Sequence, residues 1–212
     1  MVFFSKYMFP SASENTSRDI LDILGIFMVL LGYLLRIIAR GEKAQRNPDG
    51  KTLVTEGLYQ LTRNPMYLGT LFIGLGVSLV LFRWWVCFIF LAVYLAIYIP
   101  QINREEEKLV KIFGDKFRNY CKTTPKYFPR VSGLLRIQPK KYLKLKLSWV
   151  KKELNSLIWM FISIIVIQGW RDLRLFGHVK YGKEIFEAVL FLTILFTIFI
   201  LNYGKNNHPR KS

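Results

Sequence analysis

Cysteine and histidine are scarce in this sequence, which contains two of each among 212 residues. Cys87 lies within an apolar segment and Cys121 within a polar one, so the two thiols should be far apart and form no disulfide framework. His178 and His208 are isolated, and no Cys/His spacing suits zinc. The sequence therefore predicts neither a disulfide-stabilised fold nor a metal centre.

Acidic residues are also few, because 14 Asp and Glu stand against 31 Lys and Arg and give a formal net charge of +17. Yet 52% of the residues are hydrophobic. This combination excludes an ordinary soluble domain and a disordered tail, and it is typical of a basic membrane protein. A nucleic-acid partner would also suit the charge. Cytoplasmic loops beside membrane helices account for the excess, however, so we expect no nucleic-acid partner.

Apolar segments recur along the chain at lengths that suit membrane helices. A helix needs about 20 apolar residues, within a range of about 17 to 25, to cross the hydrocarbon core. We therefore predict an all-α, polytopic membrane protein with about five transmembrane helices. Their predicted positions are residues 20–38, 66–82, 84–99, 154–169 and 185–201.

Basic residues predict the orientation of these helices. With five spans, the segments 36–63, 104–152 and 205–211 share one side and hold 24 of the 31 basic residues. The positive-inside rule makes that side cytoplasmic. We therefore expect an integral membrane protein with its N-terminus outside and its C-terminus in the cytoplasm.

The sequence also predicts how the chain is divided. We expect a single membrane domain over residues 1–212. Its parts are an N-terminal span and loop at 1–49, a core at 50–130, a basic amphipathic segment at 131–153 and a C-terminal two-span hairpin with its tail at 154–212.

The start of the second span has the features of an anion-binding helix end. Asn64 is a good N-cap and Pro65 suits the first helical position, so the helix should begin here with unpaired amides facing the cytoplasm. Arg63 adds a fork of donors that matches a carboxylate or phosphate. Taken alone, the segment favours the simpler interpretation of a well-capped helix whose arginine reaches lipid headgroups. Gly69 and Gly76 favour close helix packing, or a flat ligand against the backbone.

An acidic run follows the third span. Pro100 should kink or interrupt that helix, because it lacks an amide hydrogen. If the helix resumes, Glu106 shares a face with Ile102 and Leu109 and so interrupts an apolar stripe. A carboxylate in that position needs a cationic partner. Glu107 lies four residues before a lysine and is predicted to form a solvated ion pair.

An ordered set of motifs over about residues 50–130 resembles the isoprenylcysteine carboxyl methyltransferase and phospholipid methyltransferase superfamily. No single motif is decisive, but the ordered set is hard to obtain by chance. The motifs are Gly57-x-Tyr59-x-x-x-Arg63-Asn64-Pro65-x-Tyr67-x-Gly69, Glu105-Glu106-x-x-Leu109, Phe113-Gly114-x-x-Phe117-x-x-Tyr120 and Thr124-Pro125-Lys126-Tyr127-Phe128-Pro129.

The resemblance implies an integral-membrane, all-helical enzyme that uses S-adenosylmethionine. Carried over residue by residue, it implies cofactor binding by Arg63, Asn64, Tyr67, Gly69, Glu105 and Glu106. Glu105 and Arg63 are the candidate catalytic residues.

The chain departs from the family pattern at three positions. Asn64 stands where many members have histidine, Phe117 where tyrosine is usual and Lys126 where arginine is usual. The first exchange argues against an imidazole role at that position. The third weakens a direct carry-over of acceptor recognition.

The expected acceptor is apolar or lipid-like, which makes membrane lipid and an isoprenoid small molecule the expected partners. Prenylcysteine carboxylate, a phospholipid amine and a small thiol all stay open. Two other functions also stay open, namely a membrane reductase that uses NADPH and a non-catalytic membrane scaffold of the same fold.

The segment 140–154 alternates leucine and valine with lysine at helical spacing. Apolar and basic residues that occupy different faces of a helix are typical of a helix lying in the headgroup region. We expect anionic headgroups to contact this basic cytoplasmic helix.

Overall fold

The computed structural model describes residue 9, residues 16–129 and residues 147–176. We number its α-helices in chain order, with one short 3₁₀ helix, Gly57–Gln60, between the first two. The α-helices are α1, Thr16–Arg46; α2, Pro65–Leu81; α3, Val86–Phe113; α4, Asp115–Thr123; and α5, Leu147–Phe176. No strand occurs in these ranges, so the predicted all-α fold is confirmed for the described part of the chain.

The described residues fall into two compact units. Residues 9 and 16–129 belong to the first, and α5 belongs to the second. Helix α5 contains the predicted span 154–169 and includes residues 147–154 of the predicted basic helix. The predicted span 185–201 and the rest of the basic segment lie outside the described residues. The single membrane domain and the contact with anionic headgroups stay predictions.

Two described helices are long and apolar enough to cross a membrane, Ile20–Arg46 and Val86–Phe113. Pro65–Leu81 and Ile158–Ile167 are shorter apolar helices. The described residues therefore give two candidate spans, and the count of about five is not confirmed. Phe27 and Phe88 are 61% and 65% exposed, as apolar side chains that face lipid would be.

Two helix boundaries differ from those predicted. Helix α1 continues eight residues past Ile38 to Arg46, because Lys43 and Arg46 in its last turn interact favourably with the negative end of the helix dipole. Helix α3 continues through Pro100, so of the predicted kink or interruption, the interruption does not occur. A proline inside a helix removes one backbone hydrogen bond. Ile102, just beyond Pro100, is buried.

Glycines bring α1 and α2 into backbone contact. A Cβ atom on Gly32 would lie 2.5 Å from the carbonyl oxygen of Gly69, and one on Gly69 would lie 2.6 Å from that of Gly32. Gly25 and Gly76 form a second reciprocal pair of the same kind. Small residues allow such close approach between membrane helices, where van der Waals packing drives association. Gly69 and Gly76 therefore lie where the prediction of close helix packing places them.

We expect Gly32→Ala to lower the free energy of unfolding by about 1 to 3 kcal/mol, because the added methyl group meets backbone that cannot move aside. Gly74→Ala is the matched control, since the three atoms nearest to its methyl group belong to the side chain of Phe90 and not to backbone. Thermal unfolding in detergent measures both effects. Equal losses for the two variants would show that the α1 and α2 backbones are not in contact.

Candidate active site

The segment that carries Arg63 is held by hydrogen bonds to α4 and to the loop after it. The hydroxyl of Tyr120 donates to the carbonyl of Tyr59. The amide of Arg63 donates to the carbonyl of Pro125 at 2.9 Å. Thr62 is 2% exposed, and its hydroxyl lies 3.0 Å from the carbonyl of Tyr127. These bonds hold the segment before α2 against residues that lie about 60 positions later in the sequence.

Asn64 occupies the predicted N-cap position of α2, but its side chain makes no capping hydrogen bond. A cap requires the side-chain oxygen to accept a bond from an early helix amide. Instead the side-chain amide of Asn64 donates to the carbonyl of Lys126 at 3.0 Å and contacts Oε1 of Glu106 at 3.5 Å. The capping prediction is therefore wrong, although α2 does begin at Pro65 as predicted.

Glu106 has the cationic partner that its place in an apolar stripe predicts. Its Oε1 lies 3.3 Å from Nη1 of Arg63, and its Oε2 lies 3.0 Å from Nζ of Lys126. The three side chains are between 13% and 24% exposed, so water screens the pairs less than on an open surface. Glu107, its neighbour, is exposed.

Glu105 faces a different neighbour. The hydroxyl of Tyr67 donates to its Oε1 at 2.6 Å, and the side chain of Gln101 donates to the same oxygen at 3.0 Å. The hydroxyl of Tyr94 donates to the carbonyl of Tyr67 at 2.7 Å. The ring of Tyr98 stacks on Tyr94 with centroids 4.3 Å apart. These tyrosines thus form a row of neighbouring side chains from the middle of α3 to Glu105.

Two cavities adjoin these residues. The first, which we call the charged cavity, has a volume of about 250 Å³ and includes Arg63, Asn64 and Glu106 in its lining. The remainder of its wall is largely apolar and aromatic, with Tyr59, Leu109, Phe113, Phe117 and Tyr120.

The second cavity, which we call the apolar groove, has a volume of about 110 Å³. Its lining includes Asn64 and Tyr67, and the remaining wall is aliphatic or aromatic, including Leu71, Tyr94, Ile99, Ile102 and Phe128. Asn64 lines both the apolar groove and the charged cavity. The two spaces therefore meet at the first residue before α2.

The two tyrosines of the charged cavity present neutral rings. Burial raises the pKa of Tyr59 above its usual range, and the carboxylates of Glu42 and Glu105 raise it further. Burial likewise raises the pKa of Tyr120. Since a raised pKa keeps a phenol protonated to higher pH, both side chains are neutral at neutral pH, and the hydroxyl of Tyr120 donates to the carbonyl of Tyr59.

The structure brings four of the six candidate site residues to these two spaces, and a fifth is bonded to one of the four. Arg63, Asn64 and Glu106 line the charged cavity, Tyr67 lines the apolar groove, and Glu105 is hydrogen-bonded to Tyr67. Gly69 lies between α1 and α2 and is not among the lining residues of either space.

Sequence reasoning missed part of the site. Tyr94 and Tyr98 are four residues apart, which places them on one helix face. This spacing could have predicted that their rings stack. The contact between Nη1 of Arg63 and the sulfur of Cys121 had no such signal, because the two residues belong to distant segments. Within residues 16–129 and 147–176, no group of three His, Cys, Asp or Glu side chains could hold a metal ion.

Comparison with known proteins gives one family match and several relatives. Residues 20–116 match the family model described as phospholipid methyltransferase. The chain is 30% identical to the protein-S-isoprenylcysteine O-methyltransferase of Schizosaccharomyces pombe, over 58% of this chain and 56% of that protein. It is 31% identical to protein-S-isoprenylcysteine O-methyltransferase B of Arabidopsis thaliana, over 51% of this chain and 59% of that protein.

A third relative has a different name. The chain is 31% identical to the cobalt-zinc-cadmium resistance protein CzcN of Cupriavidus metallidurans, over 53% of this chain and 49% of that protein. The chain thus spans less than two thirds of the length of these relatives. No solved structure matches the chain.

Within the described residues, the fold and the site define a helical arrangement with two membrane-type helices and a charged cavity that adjoins an apolar groove. The chain is similar to the phospholipid methyltransferase family over residues 20–116, and to isoprenylcysteine O-methyltransferases over 51% to 58% of its length.

We expect Thr62→Val to lower the free energy of unfolding by about 0.5 to 1.5 kcal/mol, because the hydroxyl of buried Thr62 no longer bonds the carbonyl of Tyr127. Thr123→Val is the matched control. Thr123 is exposed and its hydroxyl bonds only to the carbonyl of Tyr120, one turn away. Its replacement should change stability by less than about 0.5 kcal/mol. Thermal unfolding in detergent compares the two, and equal losses would contradict the described arrangement.

Proposed function

We propose that this protein is an integral-membrane methyltransferase that binds S-adenosylmethionine in the charged cavity and an apolar or lipid-like acceptor in the apolar groove. One observation carries the proposal, namely that a charged space and an apolar space meet at Asn64. A reaction between a charged, nucleoside-bearing donor and an apolar acceptor needs two such spaces side by side.

The residues of the charged cavity suit the chemistry of S-adenosylmethionine. Its amino-acid end carries a carboxylate, which Arg63 would hold, and an ammonium, which Glu106 would hold with Glu105 nearby. The aromatic and aliphatic part of the wall suits a flat purine ring. When bound, the cofactor supplies a methyl group on a sulfonium cation.

The ion pairs of Glu106 are compatible with such a ligand. Arg63 and Lys126 together carry one more charge than Glu106 can neutralise. A zwitterion that offers a carboxylate to Arg63 and an ammonium to Glu106 would replace one ion pair with two, and Lys126 would keep its contact with Glu106. The site thus exchanges partners without leaving a half-buried charge unpaired.

The residues of the groove act mainly by orientation and by exclusion of water. An anionic acceptor such as a carboxylate or thiolate loses charge as it is methylated, and an apolar, water-poor space favours that change. Alignment of acceptor and methyl carbon can lower a barrier by about 7 to 11 kcal/mol. A neutral amine acceptor must also lose a proton. Glu105, oriented by Tyr67 and Gln101, is the candidate base for it.

Prenylcysteine carboxylate, a phospholipid amine and a small thiol are the candidate acceptors. The relatives named above are isoprenylcysteine O-methyltransferases in two cases, which supports the first. The matched family model supports the second.

We also propose that the N-terminus lies outside and that the site opens to the cytoplasm. The division of basic residues supports this orientation.

The reductase and scaffold alternatives are not favoured. The relatives named as O-methyltransferases support a methyltransferase over a reductase. A scaffold without a cofactor would have no need of a cavity in which Arg63 and Glu106 are half shielded from water.

We expect S-adenosylmethionine and S-adenosylhomocysteine to raise the thermal unfolding temperature of the detergent-purified protein. At a ligand concentration about 100 times the dissociation constant, the stabilisation should be about 2.7 kcal/mol. NADPH at the same concentration should give no shift. Stabilisation by NADPH alone would support a reductase, and stabilisation by none of the three would support a scaffold. Either result contradicts the proposed function.

The three adjacent glutamates should differ in their effect on cofactor affinity. Glu106→Gln should weaken S-adenosylmethionine binding by about 1.5 to 3 kcal/mol, because it removes an ionised acceptor from the charged cavity. Glu107→Gln is the matched control and should change binding by no more than about 0.3 to 0.5 kcal/mol, since Glu107 is exposed. Glu105→Gln should reduce binding or turnover. Isothermal titration decides the matter, and equal losses for Glu106→Gln and Glu107→Gln would disprove the cofactor assignment.

A further inference from the structure

Glu42 is a buried carboxylate that the proposed chemistry does not use. It lies one turn before the end of α1 and is 6% exposed. Its neighbours on the same helix face, Ile38 and Ala39, are fully buried. Burial of a carboxylate among apolar residues is unfavourable unless hydrogen bonds compensate for the lost water. Its position therefore requires a specific partner.

That partner is the backbone of the 3₁₀ helix. The amide of Leu58 donates to Oε2 of Glu42 at 2.9 Å, and the bond is buried. The carboxylate also lies so close to Gly57 that a Cβ atom there would overlap it. Gly57 has a φ of +64°, which other residues rarely adopt. Both the conformation and the close approach therefore require glycine at this position.

The 3₁₀ helix connects this anchor to the wall of the charged cavity. Tyr59 follows Leu58, and its hydroxyl lies 3.5 Å from the carbonyl of Ala39. Its own carbonyl accepts the hydroxyl of Tyr120, so the two tyrosines of the cavity wall depend on the placement of this turn. A second attachment, the ion pair of Arg46 with Glu56 at 2.8 Å, is exposed and contributes little.

We infer that Glu42 is a positioning residue for the charged cavity. Its carboxylate fixes the Gly57–Gln60 turn against the end of α1, and the turn in turn places the rings of Tyr59 and Tyr120 where a cofactor would contact them. Glu42 lines neither the charged cavity nor the apolar groove, so it acts through these residues. The inference rests on the proposed function, because the cavity matters only if it binds a ligand.

The test compares Glu42→Ala, Glu42→Gln and the control Glu56→Gln in the full-length protein. The probe is S-adenosylhomocysteine, with affinity measured by isothermal titration well below the unfolding temperature of each variant. Glu42→Ala should weaken binding about tenfold, because the buried amide of Leu58 loses its acceptor and the turn shifts. Glu42→Gln keeps an acceptor oxygen and should recover most of the affinity. Glu56→Gln should bind as the wild type does.

Hydrogen exchange gives a readout that does not depend on the ligand. In Glu42→Ala the amides of residues 57–60 should exchange faster, whereas those of α2 should not change, because the effect is local. A purely structural role would instead lower stability throughout the protein, with no rescue of affinity by glutamine.

Each of three outcomes would overturn one particular claim. Wild-type protein that does not bind S-adenosylhomocysteine overturns the proposed function. Wild-type binding together with unchanged affinity in Glu42→Ala overturns the role of Glu42 alone. Equal losses in Glu42→Gln and Glu42→Ala, with faster exchange across α2, show that Glu42 stabilises the fold rather than the cavity wall.

Discussion

The paired charges at Glu106 determine how the rest of the site is arranged. A half-buried carboxylate is unfavourable by several kcal/mol unless cations and donors surround it, and Glu106 gains Arg63 from the start of α2 and Lys126 from the loop after α4. Three segments that are distant in sequence are thereby held at one point. The same requirement engages the amide of Asn64, which is why this residue joins α2 to its surroundings instead of capping it.

The sequence predicted those parts of the fold and site that depend on local periodicity or charge. An acidic residue on an apolar helix face predicted partners for Glu106, and Pro65 predicted the start of α2. The extension of α1 to Arg46 was not predicted, and Pro100 predicted a kink or an interruption without deciding between them, whereas α3 is not interrupted. Both features depend on packing and on the surroundings of the helix ends, which a local sequence pattern does not describe.

The side chain of Asn64 shows the same limit within the site. Its residue type and position favour a helix cap, and only the three-dimensional neighbourhood of Lys126 and Glu106 offers it better partners. Gly69 shows the converse, because its motif position implied a ligand contact whereas its spacing already indicated helix packing. The roles of the other five candidate residues in cofactor binding are proposals that rest on their placement.

The continuity of α3 has a mechanical consequence. At about 1.5 Å per residue, its 28 residues extend for about 42 Å as one continuous helix. The helix carries exposed apolar side chains such as Phe88 at one end and Glu105 and Glu106 near the other. Because no break in the helix separates the two ends, a displacement of the end that carries Phe88 is expected to reach both carboxylates. The position of the acidic pair is thus tied to the position of α3 as a whole.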